Sequence, residues 1–324
     1  MYPADVRQDR PVEVFMAHMD VVFPDETELP LRVEGGRIYC PGVGDDTACL
    51  VCLLLAGKYI AEHVDSPQWR EIRREDAPGL LLVCNAGEEG LGNLKGVHKI
   101  CEDYGDRMER FCTFDSSLSS IVDRAVGSKR FRVRVRTRGG HSYNDFGNDN
   151  AIACLASLVG ELYGIRVPEG GKTTYNVGMI SGGTSVNTIA QEAEMLYEFR
   201  SDRRENLEYM ERQFTEVLDR AKAEGMDVSL EIIGVRPCEG PVDPKRKQAL
   251  SDWAHRVVEE MTGQAPKHCA GSTDCNIPLS LGIPSVCVGS FRGAGAHTWE
   301  EYVETDSLEE GYKVAFGMIF GRRD

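Results

Sequence analysis

The chain has 324 residues, 41% of them hydrophobic, so its composition permits a packed core and its length favours two domains. Its 37 basic and 52 acidic residues leave a net charge of −15, which argues against a nucleic-acid partner because such a partner needs a basic surface. The longest apolar run, residues 48–57, is too short to span a bilayer, and the N-terminal residues do not resemble a signal peptide. We therefore expect a cytoplasmic protein without a membrane partner, whose 11 dispersed cysteines are reduced thiols.

The first 123 residues alternate strands with helices. The predicted elements, in chain order, are a strand at 12–16, a helix at 48–63, a strand at 80–85, a helix at 94–104 and a strand at 111–114. This order is typical of a parallel sheet with crossover helices. Asp46 or Thr47 is placed to cap the first of these helices.

The pattern changes after residue 123, where apolar and basic residues alternate as in a half-exposed antiparallel strand. The predicted elements that follow are a strand at 131–136, a helix at 150–163, strands at 174–180 and 193–200, a helix at 207–223 and a strand at 228–233. This β-α-β-β-α-β order predicts a small α+β domain at 124–236, inserted into an α/β domain formed by residues 1–123 and 237–324. A helix at 248–261, a strand at 285–289 and a helix at 308–320 continue that α/β domain.

Potential metal ligands follow the first predicted strand. His18 and Asp20 are two residues apart at a strand end, so their side chains point to the same face. His18 could bind a metal while Asp20 holds its imidazole. A buried histidine with an aspartate partner is the structural alternative.

Further carboxylates lie at the ends of other strands. Glu88 and Glu89 follow a buried strand, at the edge where open α/β sheets bind ligands, and adjacent carboxylates repel unless a cation or a shared proton relieves them. A solvated acidic loop is the alternative for this pair, and a turn cap is the alternative for Asp115. Asp45 lies between glycines and a helix start, and His297 lies in a glycine-rich loop that lets backbone approach a ligand.

Together these residues indicate a dinuclear metal site. Zinc prefers a mixture of imidazole and carboxylate ligands, and a shared aspartate would hold two ions about 3.5 Å apart. Two such ions can activate one water and clamp a carbonyl oxygen, which is the chemistry of amide hydrolysis.

The motifs, in this order and nearly from end to end, resemble the dinuclear-zinc exopeptidase and deacylase family that includes peptidase T, carboxypeptidase G, aminoacylase and succinyl-diaminopimelate desuccinylase. The resemblance implies a mostly parallel α/β catalytic domain with an inserted ferredoxin-like lid and dimerisation domain, a homodimer, and two divalent ions. Zinc is the expected metal, with cobalt or manganese as alternatives.

The resemblance also implies the ligand set. The five implied ligands are His18, Asp45, Glu89, Asp115 and His297. Asp45 would bridge the ions through a motif with a cis peptide bond to Asp46. We expect one ion on His18, Asp45 and Glu89. The other ion is expected on Asp45, Asp115 and His297.

Three catalytic roles follow from the same resemblance. Glu88 would be the general base, and Asp20 would support the first histidine. His141 lies in Gly139–Ser142, which is similar to the loop that sends a histidine into the partner subunit's active site.

Three further residues are expected to bind substrate. Arg200 would pair with a substrate carboxylate, since its planar fork suits that group. Asn187 would place the scissile carbonyl. Asp274 lies in a segment most similar to the peptidase T branch and would receive the substrate's ammonium group.

The resemblance favours an aminopeptidase acting on di- or tripeptides. An N-acyl amino acid deacylase with the same zinc site is the alternative in the same class. An inactive metal-binding relative that binds peptides is the alternative of another class, and the presence of Glu88 argues against it.

Overall fold

The computed structural model describes residues 10–23, 26–67, 69 and 77–321. Its helices include α1 (Cys49–His63), α2 (Lys95–Tyr104), α3 (Ala151–Tyr163), α4 (Arg204–Ala223), α5 (Pro244–Thr262), α6 (Asn276–Ser280) and α7 (Ser307–Phe320). Its strands include β1 (Val12–His18), β2 (Arg32–Glu34), β3 (Arg37–Tyr39), β4 (Gly79–Asn85), β5 (Met108–Phe114), β6 (Ser120–Ala125), β7 (Gly127–Arg136), β8 (Gly140–His141), β9 (Thr173–Gly182), β10 (Thr188–Ile189), β11 (Glu192–Ser201), β12 (Asp227–Arg236), β13 (Lys267–Gly271), β14 (Ser285–Val288), β15 (Gly293–Ala294) and β16 (Tyr302–Glu304). Contacts divide the chain into two compact units, Met1–Ala125 with Glu239–Asp324, and Val126–Cys238.

The first unit contains a six-stranded sheet in the order β13-β6-β14-β5-β1-β4. Its pairings are parallel except for the one between β14 and β6, so the predicted mostly parallel sheet is confirmed. Side chains of β1 alternate between two hydrophobic clusters. Phe15 packs into one with α1, α5 and α7, whereas Met16 packs into the other with α2 and α6. Burial on both faces explains why β1 is almost continuously apolar.

The parallel pairing brings several strand ends to one edge of the sheet. His18 is the last residue of β1 and lies opposite Asn85, the last residue of β4. The neighbouring strand β5 ends at Phe114, directly before Asp115. The loops that carry the potential ligands therefore begin side by side, as in other open α/β sheets that bind ligands at this edge.

A second, small sheet in the order β15-β16-β3-β2 lies in the same unit. Its antiparallel pairing of β16 with β3 brings the chain near Glu301 beside the segment that follows β3. The backbone N–H of Cys40 donates to the carbonyl of Glu301 at 3.1 Å. The sequence reading predicted none of these four short strands, and it also missed β6 and β13, which begin or end in polar residues.

The second unit contains the antiparallel sheet β12-β7-β11-β9. Apolar side chains on one face of this sheet pack with α3 and α4 around aromatic residues such as Phe131 and Phe214. The other face carries arginine and glutamate side chains in neighbouring positions, such as Arg130 and Glu198 at 3.3 Å. The predicted β-α-β-β-α-β order and ferredoxin-like fold are confirmed.

The predicted side-chain cap of α1 is wrong. Its N-cap position is Ala48, with no side-chain cap bond, because the carboxylate of Asp46 accepts the backbone N–H of His18 at 2.8 Å instead. All 11 cysteines are free. Within the described ranges, every helix is too short or too polar to traverse a bilayer.

Candidate active site

His18 presents one ring nitrogen to a group of carboxylates. Its side chain is 1% exposed, and its Nδ1 lies 3.0 Å from the carbonyl oxygen of Asp20. Because a carbonyl only accepts, Nδ1 carries the hydrogen, and Nε2 of the neutral ring is an acceptor. Nε2 is buried, has no hydrogen-bond partner of acceptable geometry, and lies 3.0 Å from Oδ1 of Asp45 and 3.9 Å from Oδ1 of Asp115. This arrangement of acceptors needs a cation or an additional proton.

Asp45 lies between two histidines. Its Oδ1 is 3.0 Å from Nε2 of His18, and its Oδ2 is 3.0 Å from Nε2 of His297. The predicted cis peptide bond between Asp45 and Asp46 is present. A carboxylate whose two oxygens face two imidazoles has the form of a bridging ligand.

The shortest distances divide the remaining ligands differently from the expectation. Nε2 of His297 lies 3.1 Å from Oε1 of Glu89, whereas Asp115 is on the His18 side of Asp45. Ligand atoms of Asp45, Glu89 and His297 lie within 4.8 Å of one another. The distances therefore favour His18 and Asp115 on one side of Asp45, and Glu89 and His297 on the other, so Glu89 and Asp115 exchange places relative to the sequence-based assignment.

The charges in this cluster shift the pKa values of its members. Burial opposes protonation of His18, but the carboxylate of Asp45, 3.0 Å from Nε2, and the charges of Asp46 and Asp115 outweigh it and raise the pKa of His18 to about 11. Burial, together with the charges of Asp45 and Glu88, raises the pKa of Glu89 to about 7. Such perturbed groups in one cluster are typical of a functional site.

These residues fit two divalent ions. The donors are imidazole nitrogens and carboxylate oxygens, which is the mixture that zinc binds. The buried Nε2 of His18 faces carboxylates, and an ion between those atoms would satisfy all of them in place of a proton.

Asp20 has a different role from the one predicted. Its carboxylate accepts the backbone N–H groups of Gly87 at 2.9 Å, Glu88 at 3.3 Å and Glu89 at 2.9 Å. The imidazole of His18 is held by the carbonyl of Asp20, while the carboxylate lies 3.8 Å away. Asp20 therefore supports the histidine through its backbone and holds the Glu88–Glu89 loop through its side chain.

Glu301 is a site residue that sequence reasoning missed. It is buried, and its carboxylate accepts the backbone N–H groups of Gly42 at 2.6 Å, Gly44 at 2.9 Å and Asp45 at 2.8 Å. It therefore holds the loop that carries Asp45, the predicted bridging ligand. The only sequence signal was its place four residues after His297, which Glu300 shares almost equally.

Glu88, the predicted general base, lies within the cluster. It is buried, and its carboxylate lies within 4.8 Å of ligand atoms of His18 and Glu89. The two adjacent glutamates therefore both reach the metal-binding group, with the backbone of each held by Asp20.

Asp274 does not reach the surface, so its predicted contact with a substrate ammonium is wrong. Its side chain is 0% exposed, and its Oδ2 accepts a hydrogen bond from Nδ2 of Asn85 at 2.7 Å. It lies just before α6, next to Cys275 in the hydrophobic cluster behind the sheet. The segment matched a substrate-binding pattern, but its position in the fold makes this carboxylate part of the interior.

The remaining predicted site residues, Arg200, His141 and Asn187, lie in the second unit. The guanidinium of Arg200 forms two hydrogen bonds to Glu198, at 2.8 and 3.1 Å. Nδ1 of the exposed His141 accepts backbone N–H groups at 3.2 and 3.4 Å, which leaves its Nε2–H facing outward. Asn187 lies on the adjacent loop, where its backbone carbonyl accepts the backbone N–H of Ser142 at 3.0 Å.

An imidazole–carboxylate cluster with an adjacent glutamate, at the ligand-binding edge of a parallel sheet, defines a metal-dependent hydrolase. The model of peptidase family M20/M25/M40 matches residues 14–320, and the chain belongs to this family, as the sequence motifs predicted.

Relatives of known name agree with this assignment. A succinyl-diaminopimelate desuccinylase of Bordetella parapertussis is 24% identical over 320 residues, which cover 92% of this chain and 79% of that protein. The crystal structure of aminopeptidase PepT from Bacillus cereus matches with a TM-score of 0.68 and 21% identity, covering 97% of this chain and 82% of that one. The dipeptidase Dug1p of Saccharomyces cerevisiae matches with a TM-score of 0.72 and 14% identity, covering 98% and 81%. At these identities the structural likenesses establish the shared fold.

Proposed function

We propose that the chain is a dinuclear metal-dependent aminopeptidase that removes the N-terminal residue of di- and tripeptides. The observation that carries the proposal is the Asp45 carboxylate between His18 and His297, with Glu88 in the same cluster. His18 and Asp115 would hold one ion and Glu89 and His297 the other. Zinc suits these ligands, and cobalt or manganese could replace it.

The bound ions would supply Lewis acidity toward the scissile carbonyl and lower the pKa of the attacking water. Glu88 then accepts the proton of that water and delivers it to the leaving amine. Asp20 keeps Glu88 in position, because its carboxylate holds the backbone of both glutamates. Burial of Glu88 excludes bulk water from competing for the same proton.

We assign the inserted domain, residues 124–236, the role of lid and dimerisation domain of a cytoplasmic homodimer. The outward Nε2–H of His141 would then stabilise the oxyanion in the partner subunit's site. Asn187, on the loop beside it, would bind the scissile carbonyl. Arg200 would bind a substrate carboxylate by exchanging one of its bonds to Glu198, because the guanidinium has five N–H donors.

A deacylase acting on N-acyl amino acids is the second candidate. The desuccinylase from Bordetella parapertussis, which removes an acyl group, favours it, while the named aminopeptidase and dipeptidase structures favour peptides. Both candidates use the same metal ligands and the same Glu88. An inactive peptide-binding protein fits less well, because the base is in place beside the ligands.

The deciding experiment compares the rate of cleavage of a free tripeptide with that of the same tripeptide after N-acetylation. Zinc or cobalt is added to the purified protein. A site that pairs with an ammonium group rejects the acetylated form strongly, because its own polar groups would be left unpaired. We expect the free tripeptide to be cleaved faster. Faster cleavage of the acetylated form would establish the deacylase, and cleavage of neither, with both ions bound, would favour the inactive protein.

A further inference from the structure

A pocket of about 200 Å³ lies beside two of the proposed metal ligands, Asp45 and Asp115. Its other walls come from Ser116 and Ser117, Phe291, residues 293–296 and Glu301. We infer that this pocket receives the side chain on the acyl side of the scissile amide and selects an uncharged, apolar group. The inference rests on the proposed function and extends it to the class of substrate.

The charged groups that line the pocket are already engaged. The carboxylate of Glu301 accepts three backbone N–H groups, and Asp45 and Asp115 face the histidine ligands. No basic side chain is among the described residues that line the pocket, so an acidic substrate side chain would lie beside the carboxylate of Glu301 with no basic side chain to pair with. Burying an unpaired charge costs far more than burying an apolar group stabilises.

The polar groups at the base of the pocket are also satisfied. The hydroxyl of Ser116 bonds that of Ser120 at 2.8 Å, and the hydroxyl of Ser117 lies 3.2 Å from that of Ser119. The hydroxyls can turn toward a ligand only by giving up these contacts. An uncharged group therefore fits the pocket best.

One wall is kept open by glycine and alanine. A Cβ on Gly293 would lie 2.1 Å from the carbonyl oxygen of Tyr302, and Gly295 has a φ of +83°, so neither position accepts a side chain without strain. Between and after them, Ala294 and Ala296 contribute only methyl groups. The buried ring of Phe291 also lines the pocket.

The volume sets an upper limit on the group that fits. An apolar cavity of about 150 Å³ in another protein holds benzene, so a space of about 200 Å³ admits a side chain up to the size of leucine or phenylalanine. Larger side chains would have to displace the loop.

The position of the pocket relative to Glu88 assigns it to the acyl side. Under the proposed mechanism Glu88 delivers the proton to the leaving amine, so the amine side of the substrate faces Glu88. The pocket is lined by Asp45 and Asp115, and neither Glu88 nor Glu89 contributes to it. The group attached to the attacked carbonyl therefore points into the pocket.

The experiment varies the first residue of a tripeptide, Xaa-Gly-Gly, in wild-type protein and in Ala294→Val. Ala294 is exposed and lies in a strand pair, where valine is well tolerated, so the variant fills the pocket without disturbing a buried position. Ala265→Val, the same change at an exposed site outside the pocket, is the matched control.

Wild-type kcat/KM should be at least about tenfold higher for Leu-Gly-Gly than for Gly-Gly-Gly, Asp-Gly-Gly or Lys-Gly-Gly, because each buried methylene is worth about tenfold or more. Ala294→Val should reduce kcat/KM for Leu-Gly-Gly about tenfold more than it reduces kcat/KM for Gly-Gly-Gly, and Ala265→Val should change neither. An equal loss on both peptides in Ala294→Val, or fast cleavage of Asp-Gly-Gly, overturns the assignment of the pocket.

Two further measurements distinguish an error in the assignment of the pocket from an error in the aminopeptidase proposal. If only N-acyl amino acids are cleaved, N-butyrylglycine should be cleaved faster than N-succinylglycine, and the reverse order overturns the apolar pocket. If nothing is cleaved, calorimetric binding of leucine amide tests the pocket alone. Binding weakened by Ala294→Val and unchanged by Ala265→Val supports it, and equal binding to all three proteins refutes it.

Discussion

Oε1 of Glu301 accepts the backbone N–H of Asp45 at 2.8 Å, although 256 residues separate the two in the chain. Asp20 holds the backbone of Glu89 in the same way, at 2.9 Å. In both cases a carboxylate a few residues after a predicted histidine ligand holds the loop that carries a predicted carboxylate ligand. Each histidine is thereby tied to a distant ligand through rigid backbone hydrogen bonds, as is usual for groups that orient metal ligands.

Glu301→Gln should weaken metal binding about 10- to 100-fold, as is typical for loss of a group that orients a ligand. Glutamine keeps the size of the side chain but replaces one acceptor with a donor that faces the N–H groups of the Gly42–Asp45 loop. Chelator competition measures the affinity. Glu300→Gln is the control, since Glu300 is 82% exposed and does not contact the loop. Equal metal affinity in both variants would show that the loop holds its shape without Glu301.

Glu88→Gln should lower turnover by about 10²- to 10⁴-fold, the usual effect of losing a general base. Metal content should stay the same, because the ligands are unchanged. Steady-state kinetics and metal analysis on one preparation measure both. Glu89→Gln is the comparison and should lose metal. Loss of metal from Glu88→Gln with retention in Glu89→Gln would reverse the roles of the two glutamates.

The division of ligands around Asp45 predicts the metal content of a double variant. Asp115→Asn and His297→Ala should each remove one ion, and together they should remove both, because the two residues lie on opposite sides of Asp45. Metal analysis after gel filtration gives the stoichiometry. One ion retained in the double variant would place Asp115 and His297 on the same metal, as the sequence-based assignment had it.

Metal-free protein should lose stability as the pH rises. The pKa of His18 is raised from 6.5 to about 11, so the folded state holds a proton that the unfolded state releases. The resulting stabilisation is complete below about pH 6.5 and disappears as the pH approaches 11. Denaturant unfolding of chelator-treated protein at pH 6.5, 8 and 9.5 should show a falling free energy of unfolding, with a weaker fall in His18→Gln. A free energy that rises over this range in the metal-free wild type would contradict the shift.

Zinc should reverse this dependence, because binding requires the neutral imidazole and releases its proton. The stabilisation that zinc adds should therefore increase with pH over the same range. The same unfolding series with saturating zinc measures it.

Inactive His141→Ala and inactive Glu88→Gln chains should restore part of the activity when they are mixed. In a hybrid dimer, one site would combine an intact Glu88 with His141 of the other chain. Mixing under conditions shown to exchange subunits, followed by assay of tripeptide cleavage, measures the effect. No recovery, with exchange demonstrated, would remove His141 from the partner's site.

The sequence alone determined the order of the long helices and of most of the long strands, the division into an α/β and an α+β domain, and the residues that could bind metal. These features are local, because strand and helix periods appear within a few residues and histidine and aspartate carry their chemistry wherever they lie. The family motifs added the bridging role of Asp45 and its cis peptide bond, which is present.

The tertiary structure decided which of these residues meet. The pairing of Glu89 with His297, the clamps formed by Glu301 and Asp20, and the burial of Asp274 depend on contacts between segments far apart in the chain. Nothing in the local sequence separates the exposed Glu300 from the buried Glu301, because only the pairing of β16 with β3 brings one of them to the Gly42–Asp45 loop. Non-local pairing of this kind is a property of the assembled sheet, and no window of sequence contains it.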